Sequence, residues 1–190
     1  MMRNRSFRTE RRFPVKKILF VLVLLLIVAV PVSAANVHLK GGKNAEPAFY
    51  DYGLTLEASG ALSGLGNGDV LITITAMADV TSTCTNQGGN AAPGQNPAPI
   101  TVEGSVSIPE EEVKNGNTPF TVVTEAPPTE IPGAPDCPNP NWTETIDDLA
   151  FTYATITVEQ PEGTVVLVIS YSFDPPTADG SVNKADVYPD

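Results

Sequence analysis

The chain has 190 residues, of which 22 are acidic and 11 basic, and its formal net charge is −11. A body of this sign repels the phosphates of nucleic acids and of anionic lipid surfaces, so the composition argues against either as a partner. Hydrophobic residues make up 42% of the chain, enough for the core of one domain.

Residues 1–34 have the three parts of a secretory signal. Seven of the 11 basic residues lie in the first 17 positions, against one acid, Glu10. An uninterrupted apolar run follows at residues 18–30, and as a helix it would span roughly 20 Å, less than the ~30 Å hydrocarbon core of a bilayer. Small residues come next, and we expect cleavage after Ala34, with Ala35 as the alternative. The domain is then secreted into the extracellular medium.

The competing interpretation is an uncut anchor, because residues 13–32 together would nearly span a bilayer and would leave the domain tethered. Cleavage changes the charge of the protein. The mature chain keeps four lysines against 21 acidic residues, a formal net charge of −17. The basic N-terminal segment is therefore predicted to serve targeting, and no membrane contact is expected beyond it.

Behind the signal, apolar residues recur in short segments with a period of two, which predicts β-strands. Between Ile100 and Ile108, for example, Val102, Val106 and Ile108 fall on one face and polar residues on the other. The run at residues 165–169 is apolar at every position, which is typical of a central strand buried on both faces. Seven strands are predicted, at residues 36–40, 54–59, 69–78, 100–108, 120–124, 150–159 and 164–173.

Turn residues separate these strands, as in the Asn-Gly-Asn sequence at residues 115–117. Seven strands at this spacing predict an all-β domain, a two-sheet β-sandwich of immunoglobulin-like topology, over residues 35–175. Residues 176–190 are predicted to form an acidic C-terminal tail.

Two long loops rich in Pro, Gly and Asn interrupt the predicted strands, at residues 85–99 and 125–141. Cys84 and Cys137 lie in loop-like surroundings beside or within them, and an even cysteine count in an exported chain predicts a disulfide. The bond would fasten the two loops at one end of the sandwich. Because loops of this length are usually functional or disordered, this end is where we expect a binding surface. The interpretation favoured over a binding surface is a purely structural clip that keeps the two long loops from fraying.

Three segments carry a resemblance: residues 37–44 (VHLKGGKN), 93–99 (PGQNPAP) and 131–140 (IPGAPDCPNP). They resemble those of a family of small, uncharacterised exported bacterial proteins that are rich in β-structure. The similarity extends over most of the mature chain. It implies bacterial export and implies no activity.

No catalytic residue is predicted. His38 is the single histidine and lies in a predicted edge strand, where it is expected at the surface rather than beside a nucleophile. The rival class is a small extracellular hydrolase that uses two carboxylates, as glycosidases do. The visible acidic clusters are residues 110–112 and the pair Asp147 and Asp148, and both are also typical of solvated turns.

A calcium-dependent extracellular module is a third possibility. Asp179 and Asp186 occupy positions 5 and 12 of a calcium-loop pattern, with Gly180 at position 6. Position 1 falls on Pro175, whose side chain cannot ligate a cation. Asp179 and Asp186 are therefore only weak calcium candidates, and no metal or other cofactor is predicted.

Aromatic residues are the remaining candidates for recognition. Trp142 follows the Cys137 loop and could stack on a sugar ring or anchor a protein partner, but the favoured interpretation is that it caps the end of the core against the disulfide. Tyr50 and Tyr52 are predicted to be packing residues. The predicted function is a non-enzymatic binding or structural role at the cell surface or in the medium, with a protein or a glycan as partner.

Overall fold

The computed structural model describes residues 36–42 and 45–190. The predicted signal, its cleavage site and the alternative anchor therefore lie outside the described residues. Within the part of the chain that is described, no helix is long and apolar enough to cross a membrane.

The described residues form twelve strands and two single turns of 3₁₀ helix, the latter at Glu110–Glu112 and Lys184–Asp186. The strands are β1 (His38–Leu39), β2 (Ala48–Asp51), β3 (Leu56–Ser63), β4 (Val70–Thr85), β5 (Ala91–Pro93), β6 (Ile100–Ile108), β7 (Asn117–Val123), β8 (Glu130–Ile131), β9 (Thr143–Glu159), β10 (Val165–Phe173), β11 (Gly180–Ser181) and β12 (Val187–Pro189).

These strands form two antiparallel sheets, which confirms the predicted all-β, two-sheet architecture. In the first sheet, β7 lies along one side of β3, β1 and β2 lie along its other side, and β11 lies beyond β2. In the second sheet, β4 and β9 form the centre. Strands β6 and β5 follow the outer side of β4, β10 and β8 follow that of β9, and β12 lies beyond β10.

Alternation of apolar and polar residues places one face of each sheet in a shared core. The alternation predicted for β6 is confirmed, since Val102 and Ile108 are buried while Thr101 and Glu103 are exposed. Each fully buried leucine, isoleucine or phenylalanine stabilises the fold by about 1.5–3 kcal/mol relative to an exposed one. The largest fully buried apolar side chains are Phe151, Leu56, Leu62, Ile72, Ile74, Leu149, Ile156, Val70, Val122 and Val158.

The prediction of a doubly buried central strand at residues 165–169 is wrong. Val165 and Val168 are each 55% exposed. Strand β10 lies beside β9, and beyond it β12 pairs only with Tyr171–Phe173. An all-apolar run shows that both faces of a strand are apolar. It does not show that other parts of the protein cover both faces.

The acidic C-terminal residues contribute to both sheets. Strand β11 extends the first sheet beside β2, and β12 extends the second beside β10. Val187 is buried, and the Val182 N–H donates to the Phe49 carbonyl at 3.0 Å. This segment therefore connects the edges of the two sheets.

Candidate functional site

The Cys84–Cys137 disulfide is present, as predicted, at one end of the long β4–β9 ribbon. The two Cα atoms are 5.6 Å apart and 53 positions apart in the chain. The surroundings of Cys84 differ from the prediction, because Cys84 is fully buried within β4 and not in a loop. The bond thus fastens the proline-rich segment around Cys137 to the centre of a sheet.

Glu144 lies directly opposite Cys84 in the β4–β9 pairing and has no exposed surface. Its carboxylate accepts a hydrogen bond from the Ser82 hydroxyl at 2.8 Å and one from the Asp136 N–H at 3.2 Å. A buried carboxylate is costly without such partners, so its position depends on both of them. Glu144 therefore holds the Cys137 segment from the inside, next to the disulfide.

The other long loop meets the same residues. The Gly94 N–H donates to the Ser82 carbonyl at 2.8 Å, and the Gln95 N–H donates to the Asp136 carbonyl at 2.9 Å. A Cβ added to Gly94 would collide with the Ser82 hydroxyl and would lie 3.4 Å from a Glu144 carboxylate oxygen. We call residues 94–99 and 132–142, together with the disulfide and Glu144, the loop end.

Trp142 lies in the loop end immediately before β9. Its side chain is half-buried, and its backbone N–H donates to the Asn139 carbonyl at 3.2 Å. It is not among the hydrophobic side chains that pack against the core of the described residues. Part of the indole is thus accessible to a partner.

The other predicted acidic and basic candidates are spread over the surface. The exposed His38 has its Nδ1 atom 2.7 Å from the Asn36 carbonyl oxygen. Residues 110–112 are exposed in their 3₁₀ turn, and Asp147 accepts from the Thr83 hydroxyl at 2.6 Å. In the described part of the chain, no group of three His, Cys, Asp or Glu side chains, with or without Asp179 and Asp186, has a metal-binding arrangement.

The prediction that Tyr50 and Tyr52 are packing residues is wrong. Tyr50 is 40% exposed and Tyr52 is 56% exposed. In β2 it is Phe49 and Asp51 that point inward, because the strand is paired so that its second and fourth residues face the core. The two tyrosines belong to the outer surface of the first sheet.

Asp51 is a second buried carboxylate that sequence reasoning missed. It is 1% exposed, and it accepts hydrogen bonds from the Thr177 hydroxyl and, at 2.8 Å, from the Gly53 N–H. Burial raises the pKa of the Asp51 carboxyl above its ordinary value of 3.8. The two hydrogen bonds partly offset this shift, whereas the carboxylates of Asp148 and Asp179 add to it.

The raised pKa of Asp51 predicts the sign of a pH effect on stability. In the unfolded chain the group ionises near 3.8, but in the folded protein it ionises only at higher pH. Stability relative to the Asp51→Asn variant should therefore fall as the pH rises from about 3.8 through the raised pKa. Urea unfolding of both proteins between pH 3.5 and 7 measures this, and a constant or increasing difference would contradict it.

No family model, no curated protein and no solved structure matches the chain. In the loop end, one disulfide and one buried carboxylate bring two long polar loops together beside a partly accessible tryptophan.

Proposed function

We propose that the protein is an exported, non-enzymatic binding module that acts at the cell surface or in the medium through its loop end. The observation that carries the proposal is the double attachment of the Cys137 segment, by the disulfide and by the buried Glu144. A loop held in one conformation before binding loses less entropy when a partner binds. The two attachments therefore support a role in recognising a partner, and not only that of a structural clip.

Export is supported by the secretory pattern of residues 1–34 and by the disulfide, a bond typical of oxidising compartments outside the cytoplasm. In this proposal the signal is cut after Ala34, and the alternative is a tethered domain. An immunoglobulin-like strand order and membership of the exported bacterial family described above are parts of the same proposal.

The partner is a protein or a glycan. The exposed residues 138–141 around Trp142 are prolines and asparagines. An indole flanked by side-chain amides could stack on a sugar ring and hydrogen-bond its hydroxyls, and it could equally fill an apolar pocket of a protein.

The test measures binding of the exported protein to intact cells of the producing organism and to a panel of immobilised glycans. Trp142→Ala should weaken binding at least tenfold, because truncation of a central aromatic contact commonly costs more than about 1.4 kcal/mol. Tyr188→Ala, at a 48% exposed tyrosine in β12, is the matched control and should bind normally. Equal binding by the wild type and by Trp142→Ala would refute the loop end as the contact surface.

A further inference from the structure

A pair of exposed tyrosines, Tyr50 and Tyr52, lies on the outer face of the first sheet. Neither tyrosine belongs to the loop end. The ring centroids of Tyr50 and Tyr52 are 4.4 Å apart, and the ring planes are inclined by 40°. Tyr52 follows β2 in the turn that leads to β3, and its N–H donates to the Thr55 carbonyl at 2.9 Å. This bond restrains the backbone that carries the second ring.

A carboxylate lies beside the two rings. Glu57 of β3 is the cross-strand partner of Tyr50, and the Tyr52 hydroxyl donates to its Oε2 atom at 3.2 Å. Among the described residues Oε1 of Glu57 takes no hydrogen bond, so one oxygen remains available to a ligand. On the far side of Glu57, the 39% exposed Val123 of β7 continues the row.

The arrangement exposes apolar ring surface to water, which is unfavourable unless something covers it. The face of an aromatic ring carries partial negative charge and attracts cations, and a neighbouring carboxylate adds to that attraction. Two further carboxylates lie near Gly53, the residue after Tyr52, because an added Cβ there would be 3.4 Å from Asp148 Oδ1 and 3.4 Å from Asp179 Oδ1. They lie on the side of the inward-facing Asp51, whose pKa they raise. The charged group that contacts the rings, Glu57, is negative.

We propose that Tyr50, Tyr52 and Glu57 form a binding site for the ammonium or guanidinium group of a lysine or arginine on a basic polypeptide. The cation would lie against the tyrosine rings and form an ion pair with the free oxygen of Glu57. The mature chain, with four lysines against 21 acidic residues, attracts such a partner over a longer range. A neutral sugar has no net charge to form an ion pair with the carboxylate, and the mutual tilt of the rings leaves no single flat platform for it.

The direct probe is a fluorescently labelled tetralysine peptide with blocked ends, titrated with the exported protein at physiological salt and followed by anisotropy. Glu57→Gln should weaken binding at least fivefold. The control is Glu103→Gln, which removes an equally outward glutamate that also accepts from a hydroxyl, that of Thr75, on the other sheet. It should change the affinity less than twofold. An equal loss in both variants would mean nonspecific attraction and would overturn the proposal.

The rings are tested separately from the charge. Tyr52→Leu should weaken binding at least threefold, whereas Tyr52→Phe keeps the ring and should retain most of the affinity. Thermal unfolding of each variant shows that it is folded. Unchanged binding by Tyr52→Leu, or displacement of the peptide by neutral oligosaccharides, would overturn the proposal.

Discussion

Loss of the Cys84–Cys137 bond should lower the free energy of unfolding by about 4 kcal/mol, because the bond closes a long loop in the unfolded chain. The two cysteines are separated by 53 positions, and a loop of this size has much conformational freedom to lose when it is closed. For a domain of about 150 residues the corresponding fall in melting temperature is roughly 10 °C.

The measurement compares the wild type with the double variant Cys84→Ala, Cys137→Ala, each with and without reductant. Reductant should destabilise only the wild type, since the variant has no bond left to reduce. Mass spectrometry of the wild-type protein, purified without reductant, should show no free thiol. Two free thiols in the wild type would refute the prediction. Equal melting temperatures of the wild type and the double variant in the absence of reductant would refute it as well.

The effect should also be local. Without the bond, the Cys137 segment is held by its backbone hydrogen bonds, by the buried Ala134 and by the hydrogen bond from the Asp136 N–H to the buried Glu144. We therefore expect residues 132–142 to become sensitive to protease while the paired centre of β4 and β9 stays protected. The binding proposed for the loop end should weaken in parallel, because its surface is no longer held in one conformation.

The strands of the shared core were predictable because their inward residues are apolar. The bounds predicted for Ile100–Ile108 agree with β6, where alternation holds from end to end. Strands β4 and β9 were predicted only in part. At the loop end three inward residues, Ser82, Cys84 and Glu144, are not aliphatic, and Ile146, opposite Ser82, is the apolar exception. Polar loops cover this part of the ribbon, so the hydrophobic alternation is interrupted while the strands continue.

Other features depend on partners that are distant in sequence. The inward-facing Asp51 is stabilised by the Thr177 hydroxyl, which is 126 positions away and donates to it. Because side chains alternate along β2, Tyr50 then lies at the surface. A local pattern assigns the aromatic residue to the core and the aspartate to solvent. The missed strands β2, β5, β8, β11 and β12 have two to four residues each, which is too short for a periodic signal.

Replacement of Gly104 by alanine should cost about 3 kcal/mol of stability, at the upper end of what overpacking in a core usually costs. Gly104 is buried in β6, opposite Ile74 of β4. An added Cβ would lie 2.7 Å from the Thr124 Cα atom and 2.8 Å from the Val123 carbonyl carbon, and still closer to the Val123 oxygen. These are backbone atoms, so no side chain can turn aside to make room.

The chain that approaches Gly104 is also held from both sheets. The Thr124 hydroxyl accepts from the Leu56 N–H and the Thr124 N–H donates to the Leu56 carbonyl, each at 3.0 Å, while the Glu125 N–H donates to the Glu103 carbonyl at 2.8 Å. Relief of the clash therefore requires movement of the segment that leads from β7 to the edge of β6. The larger side chain should break at least the bond from Glu125 and expose its N–H to hydrogen exchange.

The matched control is Gly66→Ala. Gly66 is exposed and its backbone is not left-handed, and the nearest atom to an added Cβ, Gln160 Oε1, is 3.7 Å away. This variant should range from neutral to about 1 kcal/mol more stable, because alanine restricts the unfolded chain. Equal stability of Gly104→Ala and Gly66→Ala in urea unfolding would contradict the close approach of residues 123–125 to β6. A loss confined to Gly104→Ala, with faster exchange at Glu125, would identify this crossing as one of the points at which the edges of the two sheets are fixed together.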